Sequence, residues 1–185
     1  MKYAILSAAA AAIVAIPATS ASAGTLTLGG PLAVNCYEAA LARYVSQPSM
    51  EACNRSLAEE PLNRRDRAAT LVNRGILRML GNQHGAADAD FDSAIRLDSS
   101  AADPWLNKAF LRLKQGDASG ALPLIDAAIS RQARRQALAL FARGLAHEQT
   151  GNYGAAYSDL MRARDLEPGW DMPAKALARY ELRGR

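Results

Sequence analysis

The sequence predicts an all-α chain of stacked helix hairpins, on three observations. Asn73-Arg74-Gly75, Asn107-Lys108-Ala109 and Ala142-Arg143-Gly144 recur with their small third members 34 and then 35 residues apart. Alanines follow at fixed offsets: Ala87, Ala121 and Ala156, then Ala94, Ala128 and Ala163. Apolar residues between these marks keep helical rather than strand spacing. Such a period, with a Gly turn between two helix-length segments, describes units that bury their apolar faces only against their neighbours.

The opening residues read as an address, not as part of that array. Met1-Lys2-Tyr3 is a short positive start, Ala4 to Ile16 is apolar, and Ala21-Ser22-Ala23 supplies the small residues of a cleavage site. Residues 1–23 are therefore expected to be a secretory signal removed before Gly24, with the mature chain in the periplasm. The 13 apolar residues of Ala4 to Ile16 fall short of the ~20 that span a bilayer, so the mature chain is expected to carry no integral membrane segment. The formal charge of +4 comes from scattered residues and implies no nucleic-acid face.

Three units follow, at 66–99, 100–134 and 135–170. Gly116-Asp117 and Gly151-Asn152 supply turns, and Leu97-Asp98-Ser99 and Leu166-Glu167-Pro168 close the first and third units. Over Asp66 to Trp170 the chain resembles the tetratricopeptide repeat family, of an exported bacterial type. Trp105 stands where the family carries an aromatic early in the first helix, and Tyr153 follows the third turn as its pattern expects. The resemblance implies an α-solenoid in which Gly75, Ala87 and Ala94 let the two helices of a hairpin approach closely. Two departures stand out: the first turn, Gly81-Asn82-Gln83-His84-Gly85, looks one residue out of register, and Pro123 falls near the start of a second helix.

The flanks read as ends of the same array. Aligning Glu60-Pro61 with Glu167-Pro168 makes 24–65 a degenerate hairpin, with Cys36 on its first helix and Cys53 on its second. In an oxidising compartment these two are expected to form a disulfide, the alternative being two unpaired buried thiols. Glu38, Glu51, Glu59 and Glu60 read as a solvated helical face. Residues 171–185 read as a capping helix, with Leu177 and Tyr180 on one side.

On each first helix a second apolar stripe runs beside the small residues: Val72, Ile76 and Met79; Leu106, Phe110 and Leu113; Leu138, Phe141 and Leu145. By resemblance this stripe lines the concave groove, with Asn73 and Asn107 able to hydrogen-bond a bound backbone. An open patch of that size exceeds what a monomer normally shows. Its cover is expected to be a partner segment, the chain's own Thr25 to Leu32, or a second copy; otherwise the stripe is core.

The cationic column Arg74, Lys108 and Arg143 reads as structural. Asp90 and Asp159 each lie 16 residues beyond an arginine, whereas Lys108 has Leu124 there, so Arg74–Asp90 and Arg143–Asp159 are expected ion pairs across their hairpins. Some relatives hold a partner's C-terminal carboxylate in a groove clamp; of its positions here, Val72, Ile76, Asn107, Leu138 and Ala142, only Asn107 retains the required type, so that activity is not carried over.

Nothing in the chain assembles a catalytic group. His84 and His147 lack a second ligand at zinc spacing, no phosphate loop is present, and the cysteines lack redox spacing. No enzyme activity, cofactor or metal is expected. The expected function is non-catalytic binding of an apolar or amphipathic segment of an envelope protein in the groove; a structural homo-oligomer or a helper of cell-wall enzymes is the alternative.

Overall fold

The computed structural model describes residues 29–180 of the 185, so the expected signal segment and the tail from 181 on lie outside the described residues. These residues are all-helical: α1 (Pro31–Leu41), α2 (Gln47–Glu59), α3 (Arg64–Leu80), α4 (His84–Leu97), α5 (Asp103–Lys114), α6 (Ala118–Ser130), α7 (Gln136–Gln149), α8 (Tyr153–Leu166) and α9 (Asp171–Leu177). They pair as hairpins α1/α2, α3/α4, α5/α6 and α7/α8, with α9 laid on α8. Consecutive hairpins stack through α2 on α3, α4 on α5 and α6 on α7, and the first helices of successive hairpins also touch. An α-solenoid results.

Local chemistry sets the helix ends. Ser46 and Ser49 form a reciprocal capping box at the start of α2, and the side chains of Asn63, Asp117 and Asn152 accept from Asp66 N (2.9 Å), Gly120 N (2.8 Å) and Ala155 N (3.3 Å). Each satisfies a backbone donor that the helix leaves unpaired. At their other ends the four first helices finish on a left-handed residue: Arg43 (φ 54°), Asn82 (φ 59°), Gly116 (φ 79°) and Gly151 (φ 79°). In all four the amide that follows bonds back to a helix carbonyl, that of Ala39, Arg78, Arg112 or His147, closing the helix in the manner of a Schellman cap. Asn82 thus precedes Gly116 by 34 residues, as Gly116 precedes Gly151 by 35. The first turn is in register after all; Asn has taken the glycine's place, and Gly81 at φ −80° is an ordinary helix end.

The crossings within hairpins depend on missing side chains. A Cβ added to Gly75 would stand 2.5 Å from Phe91 Cε1, and one added to Gly144 would stand 2.9 Å from Leu160 Cγ. Phe91 and Leu160 are completely buried, so neither has room to yield. Helix α6 runs through Pro123, at the cost of one backbone donor close to the helix start.

Cys36 and Cys53 are disulfide-bonded and both sulfurs lie in the core, tying α1 to α2. A second tie joins the same pair: the Glu60 carboxylate, just past α2, accepts from Leu32 N (2.9 Å) and Ala33 N (3.0 Å), the open donors at the start of α1. Glu60 is therefore a cap supplied from across the hairpin and not part of a solvated face. Gly30 keeps that approach open, since a Cβ there would meet Glu60 Oε1 at 2.2 Å.

The apolar interior forms two clusters. One runs from the disulfide hairpin through α3–α6 into α7; the other joins Leu140, Phe141, Leu145, Leu160, Ala163 and Ala176 of α7–α9. Trp170 and Ile129 pack against both, and Trp170 meets Phe141 edge-on at 4.9 Å. The end helix is shorter than the sequence suggests, stopping at Leu177, with Tyr180 folded back against Tyr157 at 5.7 Å. Burial pushes the Tyr180 phenol up to about 12, with the Glu148 carboxylate acting in the same direction.

Candidate interaction surface

Every member of the apolar stripe is buried. Val72, Ile76, Leu106 and Leu138 are at most 1% exposed, and even the most open, Phe110, reaches only 9%. Met79, Leu113, Phe141 and Leu145 are buried as well. Neither a partner nor a second copy is needed to hide the stripe; of the expected Thr25 to Leu32 cover, residues 25–28 lie outside the described residues. Asn73 and Asn107 are fully buried among these residues. Asn107 Nδ2 donates to the Asp103 carbonyl (2.9 Å) one turn earlier, while its Oδ1 has no hydrogen-bond partner.

The cationic column binds the hairpins internally and to one another. Arg74 grips Asp90 with two nitrogens, Nε to Oδ2 (3.0 Å) and Nη2 to Oδ1 (2.7 Å), and Arg78 adds a third bond at 2.7 Å. Arg143 repeats the fork on Asp159 at 2.7 and 2.8 Å. Asp90 and Asp159 are almost completely buried, a position that a carboxylate tolerates only when its charge and lone pairs are met. The Asp159 carboxylate also holds the Arg143 guanidinium above its ordinary pKa.

Each cation also reaches the preceding hairpin: Arg74 Nη1 to Asn54 Oδ1 (2.9 Å), Lys108 to Asp92 and Asp88, and Arg143 Nη1 to Asp126 Oδ1 (2.8 Å). Lys108, which lacks an acidic partner in its own unit, is paired backwards. That second role escaped the within-unit spacing because it joins residues of different repeats.

Beside the stripe lies an open cavity. Its volume is about 360 Å³, and it lies where the start of α3 meets the α4–α5 and α6–α7 connections. Ala68, Ala69, Val72, Ala101, Ala102 and Pro104 make its apolar floor; Arg65, Arg131 and Arg134 stand around it, with Asp98, Asp103, Ser100 and Gln132. Val72 is the one stripe residue that lines it. Asp98 is spent locally: its Oδ1 accepts from Ser100 N, Ser100 Oγ and Ala101 N. The Ser100 hydroxyl holds its carboxyl below the usual aspartate range. This cavity was not anticipated, because it joins the start of α3 to two inter-helix connections, α4–α5 and α6–α7, that carry no repeat signal.

No protein-family model matches the chain, and no curated protein matches it. Solved structures do. MamA from Desulfovibrio magneticus RS-1 (residues 41 to the end) is similar over 80% of this chain and 82% of that one, at 23% identity and a TM-score of 0.61. A MamA RS-1 double mutant gives a TM-score of 0.64 at 20% identity over the same shares. The TPR domain of Arabidopsis OM64 matches over 63% of this chain and 96% of its own length, with a TM-score of 0.59 at 23% identity.

This is a tetratricopeptide-repeat fold.

In these terms α3/α4, α5/α6 and α7/α8 are three repeats, α1/α2 is a hairpin of the same form before them, and α9 covers the last. The described residues offer no group of three or more His, Cys, Asp or Glu able to hold a metal ion. Among them no helix is long and apolar enough to cross a membrane.

Proposed function

We propose that the protein is an exported, non-catalytic interaction module that takes an apolar or amphipathic segment of an envelope protein on the first-helix side of the solenoid. The observation that carries this reading is the open cavity beside Val72. There the solenoid offers apolar floor without first expelling buried side chains. The repeats supply a rigid frame around it, since each hairpin is pinned internally by a buried crossing and externally by the cationic column.

The stripe itself is part of the frame. Replacing Phe110 or Phe141 by Glu would therefore test folding and not binding, because either change buries a charge. A homo-oligomer built on the stripe has no exposed apolar surface to use, and sedimentation across concentrations is expected to return a monomer. Crosslinking in intact envelopes followed by capture of the mature chain is the direct test. The expected result is one dominant protein partner, with the captured chain beginning at Gly24 and found in the periplasmic fraction; retention in the cytoplasm, or no partner above background, would refute the reading.

A further inference from the structure

The cavity beside Val72 carries more cationic capacity than its own structure consumes. Arg65 and Arg134 are exposed at its rim, and neither guanidinium has an ion-pair or hydrogen-bond partner among the described residues. Their sequence neighbours differ: Arg64 donates to the Leu97 carbonyl, so Arg65 is the one left to face the opening.

Between them Arg131 is held in place. Its guanidinium lies over the Trp105 ring at 4.6 Å from the centroid, and it donates Nε to Ser99 O (2.6 Å) and Nη1 to Ala127 O (2.8 Å). Its Nη2 is left without a hydrogen bond among the described residues. An arginine fixed by stacking and by two carbonyls has already lost the rotamer freedom that binding would otherwise cost. Gln132, next in the chain, is left-handed at φ 55°, which turns the backbone so that Arg131 and Arg134 both stand at the cavity.

We infer that this cavity is a binding site for an acidic peptide segment in which carboxylates flank an apolar side chain. The apolar residue rests on the Ala68, Ala69 and Pro104 floor, and the carboxylates take the open donors of Arg65, Arg131 and Arg134. This rests on the protein-binding reading above and names the partner's chemistry. None of the three arginines belongs to the column of Arg74, Lys108 and Arg143, whose charges are spent inside the fold.

The shape selects a peptide over an anionic surface. The space is concave, with a volume of about 360 Å³, room for a side chain or two and inaccessible to a flat bilayer. With Asp98 and Asp103 also in the lining, the site keeps only a small positive excess, which suits a carboxylate or two beside an apolar side chain and not the dense charge of a polyphosphate or a sheet of headgroups.

The test uses the mature chain and two fluorescent octapeptides, one with glutamates on both sides of a central leucine and one with glutamines in their place, alongside phosphatidylglycerol vesicles. The acidic peptide is expected to bind at least about tenfold more tightly than the glutamine copy, as one charge-assisted contact would give. Raising the salt should narrow the gap. The double variant Arg65→Glu/Arg134→Glu should abolish the preference at an unchanged melting temperature, because both side chains are exposed. Arg131→Lys, which keeps the charge and loses the planar fork, should weaken the acidic peptide without affecting the glutamine copy. Equal affinity for the two peptides, a preference that survives the double variant, or binding to vesicles in place of the peptide would overturn the inference. If the double variant still captures the envelope partner at full yield, the acidic site falls while the interaction module stands. If the wild-type chain captures no partner yet prefers the acidic peptide, the reverse holds.

Discussion

Glycine in this chain has two separable jobs, and the structure assigns them by position. Gly75 and Gly144 sit where a Cβ would overlap a buried neighbour, Phe91 or Leu160. Gly116 and Gly151 have no atom near the place a Cβ would occupy, but both hold φ 79°. Gly75→Ala is therefore expected to destabilise through overpacking, by about 1–3 kcal/mol. Gly151→Ala should cost about 1 kcal/mol from backbone strain alone. Chemical denaturation of each single variant and of the double checks this: the sites are far apart, so the losses should add to within about 0.5 kcal/mol. A silent Gly75→Ala would mean that the α3/α4 crossing is looser than the Phe91 contact implies.

At the scale of the element, the first hairpin is held by two devices of different kinds. The disulfide acts on the unfolded chain, removing the freedom of a 17-residue separation, and is worth about 3 kcal/mol in the chain-entropy view. The Glu60 cap acts on the folded chain, by satisfying two open amides at the start of α1. Cys36→Ala/Cys53→Ala should accordingly lower the unfolding free energy by about 2–4 kcal/mol. Thiol titration of the denatured, unreduced wild type should find no free thiol, and two reactive thiols would contradict the pairing.

The cysteine pair was legible from the repeat alignment because a disulfide joins matched columns. The Glu60 cap was not, since a lone glutamate after a helix carries no mark of the amides it will meet. The hairpin forks of Arg74 and Arg143 could be read from a constant spacing of 16 residues. By contrast, the backward pairing of Lys108 and the arginine-lined cavity depend on how successive units rotate onto one another, which no single unit encodes. The apolar stripe was located correctly on its helices, but its exposure is a property of the stack and not of the helix.

For the whole molecule, the division of the interior into two clusters bears on how it comes apart. A solenoid has no contacts linking its distant ends, so each hairpin is stabilised only by itself and its neighbours. The first cluster spans the disulfide hairpin and most of the repeats, whereas the second is a small group in α7–α9, closed by a seven-residue end helix. No cross-link acts on that end, and its contact with the rest runs largely through α6. Local opening free energies should therefore fall from α3–α6 toward α8 and α9. Native-state hydrogen exchange is expected to show amides of α8 exchanging through a sub-global opening, with those of α3 and α5 protected up to the global unfolding free energy. Replacing Trp170 by Ala would sharpen the gradient, because this ring packs on both clusters and meets Phe141 edge-on. The protection of α7 and α8 should then drop while that of α3 barely changes. Equal loss in both regions would instead mean that the stack unfolds as one cooperative unit, with the two clusters joined more firmly through α6 than Ile129 and Trp170 suggest.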